Sequence, residues 1–161
     1  MINKFIVISY RKDIMKKTLM SLLAAISMNS VMAASVYDDS LTTPIVNIEV
    51  PTTYITYEQL KAIFTLQTQK WDDGSKIVVV LLPAENQLTK RFISEHLGLN
   101  SFRFSELIDA KTNSGKAKPP IIVDSEREMF SVVTRYTGAV GYANDMVIVG
   151  DKNGYRKLQV R

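Results

Sequence analysis

The residues best placed to do chemistry are Asn86, Gln87, Thr89, Lys90 and Arg91. They follow an apolar run that Pro83 closes, and they begin a stretch with helical spacing. In α/β sheets, ligands bind beyond the carboxyl ends of strands. The N–H groups at a helix start attract anions. Two basic side chains, two amides and a hydroxyl at such a junction fit a small anion. The competing reading is an ordinary strand-to-helix connection, with Glu85 adding negative charge beside it.

Other chemistry-bearing residues point to structural roles. His96 is the only histidine and sits near the C-terminal end of a helical stretch, where a surface histidine interacts with the helix dipole. A Ser-His-Asp triad would need it as base, and no Gly-x-Ser-x-Gly elbow accompanies it. Asp72-Asp73 and Asp124, Glu126 and Glu128 are the acidic clusters. Asp73-Gly74 reads as a turn, and Glu126 and Glu128 fall in the first turn of a helix, where anions are favoured. Gly138-Ala139-Val140-Gly141 lacks the spacing of a nucleotide loop and opens a strand. Lys111, Lys116 and Lys118 read as a solvated loop. With no cysteine, disulfides, thiol catalysis and cysteine metal sites are excluded. A hydrolase would lack a nucleophile–base pair, so no enzyme activity and no cofactor is expected.

The elements that must position these residues are legible in the pattern. Pro44 opens a β-rich run, Ile45–Val50. Thr56 and Gln59 form a capping box, and Ile55 and Leu60 a hydrophobic staple. Leu60, Ile63 and Phe64 then give one apolar helical face. Ile77–Leu82 is unbroken apolar sequence, typical of a strand buried on both faces. Helices follow over Gln87–Leu97, stopped by Gly98, and over Phe102–Ala110, whose face is Phe104, Leu107 and Ile108. Lys111–Pro120 reads as a loop and Ile121–Val123 as a strand. Ser125 and Glu128 form a second capping box before Met129, Val132 and Val133. Ala139–Ala143, Met146–Val149 and Tyr155–Val160 read as strands, the last after an Asn153-Gly154 hairpin signal. Early alternation of strand and helix with an antiparallel end predicts a three-layer αβα sandwich around a mixed sheet.

The first third is different. Lys16 and Lys17 precede an uncharged apolar stretch, Thr18–Met32, and Val31-Met32-Ala33 offers a cleavage site. This order predicts a secretory signal peptide over residues 1–33, with Met15 as its start and an upstream extension before it. The stretch is shorter than the roughly 20 residues of a membrane-spanning helix. Export to the periplasm follows, leaving residues 34–161 as one domain. The leader also carries the basic excess: residues 1–33 hold five basic side chains and one acidic, and the remainder fifteen of each. The pI near 9.2 therefore gives no argument for nucleic acid.

Several of these segments together resemble the phosphate-type substrate-binding proteins of ABC importers. Thr56-Tyr57-Glu58-Gln59-Leu60-Lys61-Ala62-Ile63-Phe64, then Trp71-Asp72-Asp73-Gly74 and a buried strand, are similar to that family's opening helix, tryptophan-containing turn and strand to the ligand loop. Phe92 with Leu97-Gly98 resembles the next helix, and Gly138-Ala139-Val140-Gly141-Tyr142 the family's glycine-alanine-isoleucine-glycine-tyrosine segment. The resemblance implies one lobe of a type II periplasmic binding protein. It also implies a small inorganic or organic anion as ligand, and ABC transporter membrane subunits as partners. Two departures stand out. Where the family's ligand loop reads serine-glycine-threonine-arginine, this chain has Asn86, Gln87, Leu88 and Thr89. The mature part is also long enough for only one of two lobes, so a ligand would be held weakly or across a homodimer. The alternative is an interaction module that keeps the fold without a ligand.

Overall fold

The computed structural model describes residues 41–148 and 154–161. The predicted leader, its cleavage site and Asn153 lie outside the described residues. Among those described, no helix is long and apolar enough to cross a membrane.

The elements run β1 (Thr42–Asn47), β2 (Tyr54–Ile55), α1 (Tyr57–Phe64), β3 (Val78–Leu81), α2 (Gln87–Leu97), α3 (Ser101–Asn113), β4 (Ile121–Ile122), α4 (Glu126–Arg135), β5 (Ala139–Asn144), β6 (Tyr155–Lys157) and β7 (Gln159–Val160). Five strands form one mixed sheet in the order β4-β3-β5-β1-β6. β3 pairs in parallel with β4 and β5, whereas β1 is antiparallel to β5 and β6. β2 and β7 form a separate parallel pair.

Strand alternation puts helices on both faces. On β5, Gly141 turns toward Met129 and Val133 of α4. Tyr142, one residue on, turns to the opposite face and stacks on Phe92 of α2 with ring centroids 4.3 Å apart. Phe64 of α1 closes this aromatic group, 4.7 Å from Phe92. Asn47, buried on the α4 side of β1, donates to the Val133 and Thr134 carbonyls at 2.9 Å each. The result is the expected three-layer αβα arrangement.

The capping box of α1 forms as its residues require. Thr56 Oγ1 accepts from the Gln59 N–H at 3.2 Å, and Gln59 Oε1 accepts from the Thr56 N–H at 2.8 Å. The helix ends in a Schellman arrangement, with Leu66 N–H on the Ile63 carbonyl and Gln67 N–H on that of Ala62. The left-handed position there, usually glycine, is Leu66 at φ 59°. At α4 the second box is shifted by one residue. Ser125 Oγ caps the Glu128 N–H, but the Glu128 carboxylate accepts from Asp124 N–H rather than from Ser125.

Four sequence expectations change. β1 begins at Thr42, carries Pro44 inside it and ends at Asn47 rather than Val50. The Pro44 carbonyl points toward Leu158, beyond the β6 ladder, so its missing N–H costs no rung with β5. α3 continues through Lys111 to Asn113, shortening the expected loop. Met146 and Val147 lie in a short 3₁₀ turn, Asp145–Val147, because Asn144 caps the Met146 N–H at 2.9 Å and turns the chain; Val149 lies outside the described residues. The final strand is divided at the buried Leu158, and its two halves join different sheets.

Candidate functional site

β3 and the start of α2 build the predicted junction. β3 is apolar and buried because it lies between β4 and β5 with helices over its faces. Pro83 ends it, and Asn86 N–H bonds the Pro83 carbonyl at 3.0 Å in a tight turn. Asn86 is the N-cap of α2: its Oδ1 accepts from the Leu88 N–H at 2.8 Å. One side of the amide thus holds the helix start.

Helical spacing separates the remaining candidates. Gln87, Lys90 and Arg91 fall on one side of the helix, Gln87 and Lys90 exposed and Arg91 half-buried. Thr89 points the other way. It is 1 % exposed, and its hydroxyl meets the Tyr142 hydroxyl at 2.8 Å. With Phe92, Ile93 and His96 it occupies the buried face, so it can offer a ligand only its backbone N–H. Tyr142, inside the glycine-rich segment, is the residue that sequence reasoning did not connect to this junction. Its hydroxyl accepts from Leu82 N–H at 3.1 Å and so ties the end of β3 to β5. Burial pushes its pKa up to about 12, against the opposing pull of the Thr89 and Leu82 hydrogen bonds. Beside the junction, Leu81, Leu82, Thr89, Phe104, Ile108 and Ile122 line a largely apolar cavity of about 260 Å³.

The other candidates have structural duties. His96 is half-buried rather than a surface residue at a helix dipole. Its Nε2 lies 2.7 Å from the Thr42 carbonyl, which can only accept, so that nitrogen carries the proton. Its ring packs against Phe92 and Tyr57, so the residue pins β1 to α2. Asp73 accepts from both the N–H and hydroxyl of Ser75, which lowers its pKa. Glu126 accepts from Asn144 N–H at 2.6 Å. Among the described residues, no group of three metal-ligating side chains could hold an ion.

No family model and no curated protein gives a match to the chain. Solved structures do. An ABC-type phosphate transport receptor from Vibrio cholerae matches with TM-score 0.56 at 23 % identity, over 75 % of this chain and 46 % of that one. A substrate-binding protein assigned to phosphate ABC transport, with bound phosphate, from Clostridium perfringens gives 0.58 at 20 %, over 75 % and 45 %. PstS from Borrelia burgdorferi gives 0.57 at 17 %, over 75 % and 47 %. The chain spans about half the length of these proteins. Its fold is that of a single lobe of the phosphate-transport binding proteins.

Proposed function

We propose that the chain is an exported, non-enzymatic binding protein for a small oxyanion, phosphate or a close analogue, working with the membrane subunits of an ABC importer. The observation that carries this reading is the junction at the carboxyl end of β3. There an Asn86-capped helix start presents Gln87, Lys90 and Arg91 on one side. The shared fold with a phosphate-loaded binding protein supports it. The leader predicted over residues 1–33 supports export.

The site offers one wall of a cleft, so most of an anion stays hydrated. Helix-start N–H groups and one or two charges then give a dissociation constant of about a millimolar. Chemical-shift titration with phosphate and sulfate tests the reading. Resonances of residues 84–91 should move and saturate, and the Lys90→Ala, Arg91→Ala double variant should bind about tenfold more weakly. No response to either anion at about ten millimolar, or unchanged binding in the double variant, would overturn it. The largely apolar cavity beside the junction favours a second reading, an interaction module that keeps the fold without an anion. That reading then takes precedence.

A further inference from the structure

A second cavity lies at the opposite end of the same strands. It has a volume of about 440 Å³ and sits where the amino ends of β3 and β4 meet the segment after α1. Sites for small molecules commonly measure roughly 300–1,000 Å³. Its floor is apolar, formed by Leu66, Val79 and Ile121 among others, and its rim carries Lys70, Lys76 and Lys118. No acidic side chain lines it. None of the three ammonium groups has a carboxylate partner among the described residues.

The placement of two of these lysines is costly. Lys70 and Lys76 are opposite each other in an antiparallel bridge. The hydrogen bonds on either side, Trp71 N–H to the Ser75 carbonyl and Ile77 N–H to the Gln69 carbonyl, make it a non-hydrogen-bonded pair. Side chains come closest at such pairs, and like charges directly opposite are destabilising. The turn holds them there: Asp73 caps Ser75, and Trp71 is anchored by its Nε1 on the Gly138 carbonyl at 3.0 Å. Two lysines without a carboxylate partner, held opposite each other by the backbone, with a third lining the same apolar cavity, match a ligand with a negative head and an apolar body.

We propose that this cavity binds a small organic anion, a medium-chain or aromatic carboxylate, with its head between Lys70, Lys76 and Lys118 and its body on Leu66, Val79 and Ile121. The site is separate from the junction at Asn86–Arg91 and stands whether or not that junction binds phosphate.

The test is a chemical-shift titration of the purified protein with octanoate, octanol and inorganic phosphate. Octanoate should move resonances of Val79, Ala117 and Ile121 in a saturable way. Octanol, with the same body and no charge, should bind at least about tenfold more weakly. Phosphate, which lacks the body, should leave these resonances in place. The Lys70→Gln, Lys76→Gln double variant should lose about tenfold in octanoate affinity, yet unfold at the same temperature as wild type or higher. Lys118→Gln, on a loop outside that bridge, should weaken binding severalfold and serves as the second variant. Octanol binding as tightly as octanoate would overturn the proposal. So would phosphate moving the same resonances, octanoate shifts mapping elsewhere, or unchanged affinity in both variants.

Discussion

The hydroxyls of Thr89 and Tyr142 meet 2.8 Å apart in the core, and the Tyr142 oxygen also receives the Leu82 N–H at 3.1 Å. One phenol therefore joins the end of β3, the start of α2 and the middle of β5. Tyr142→Phe keeps the ring stack on Phe92 but leaves a buried hydroxyl and a buried N–H without their partner. The expected loss is about 1–3 kcal/mol at neutral pH. A lower urea midpoint with an unchanged slope would register it.

The same residue sets a limit at high pH. The folded pKa of Tyr142, about 12, stands above its ordinary value of 10.0. Its contribution is therefore intact below pH 10 and is lost as pH rises toward 12, because the unfolded chain gives up the proton first. A displacement of that size is worth about 2–3 kcal/mol. Wild-type stability should fall through this window more steeply than that of Tyr142→Phe. Parallel pH curves for the two proteins would contradict the assignment.

Thr56→Ala removes the Oγ1 that accepts the Gln59 N–H and breaks a reciprocal box. The cost should be about 1 kcal/mol. Gln59→Ala should cost less, because Thr56 then keeps its own half of the box. Thermal denaturation of both variants orders the two effects.

The glycines of the Gly138-Ala139-Val140-Gly141 segment should respond unequally to alanine. A Cβ at Gly138 would collide with the backbone carbonyl of Lys76, which cannot move without disturbing the turn below it. At Gly141 the obstacle is the Met129 side chain, which can change rotamer. Overpacking typically costs about 1–3 kcal/mol. Gly138→Ala should fall at or above the top of that range and Gly141→Ala near the bottom, read from denaturant midpoints.

Most of the fold was legible because its signals are local. Thr56 with Gln59, the apolar run before Pro83 and the stop at Gly98 each act through a few neighbouring residues, and α2 has the expected bounds. What escaped depends on tertiary placement. Met146–Val149 reads as a strand, yet Asn144 caps a 3₁₀ turn over Asp145–Val147 instead. The last strand divides at Leu158 opposite Pro44, a partner remote in sequence: Leu158 N–H reaches the Pro44 carbonyl, but proline has no N–H to return the bond and carry the ladder on. Thr89 stands beside Lys90 and Arg91 in the sequence, although its spacing to Phe92, Ile93 and His96 marks the buried face. The lysine-rimmed cavity left one trace: Lys70 and Lys76 stand three residues to either side of Asp73. Asp73-Gly74 marks a turn in the sequence, but neither the register that sets Lys70 opposite Lys76 nor the cavity wall supplied by Ala117–Ile121 follows from it.

Asp145 tests how the start of β1 is held after the 3₁₀ turn begins. Its Oδ1 accepts from Thr43 Oγ1 at 2.8 Å and from the Lys157 ammonium, linking β1, the end of β5 and β6. The Lys157 hydrogen bond first, and then that of Thr43, hold its pKa below the ordinary 3.8. A carboxylate with a depressed folded pKa stabilises above its unfolded value and loses that contribution as pH falls through the folded one. The side chain is 40 % exposed, so solvent screens the pair and the gain is small. Asp145→Asn should cost about 0.5–1 kcal/mol at neutral pH. The difference should shrink when the salt concentration is raised, since Lys157 is similarly exposed. It should vanish in acid below the depressed pKa, where wild-type Asp145 is itself neutral. Urea unfolding of both proteins at neutral and acidic pH, each at low and high salt, checks this. A difference that persists unchanged in acid would assign the role of Asp145 to hydrogen bonding in its neutral form.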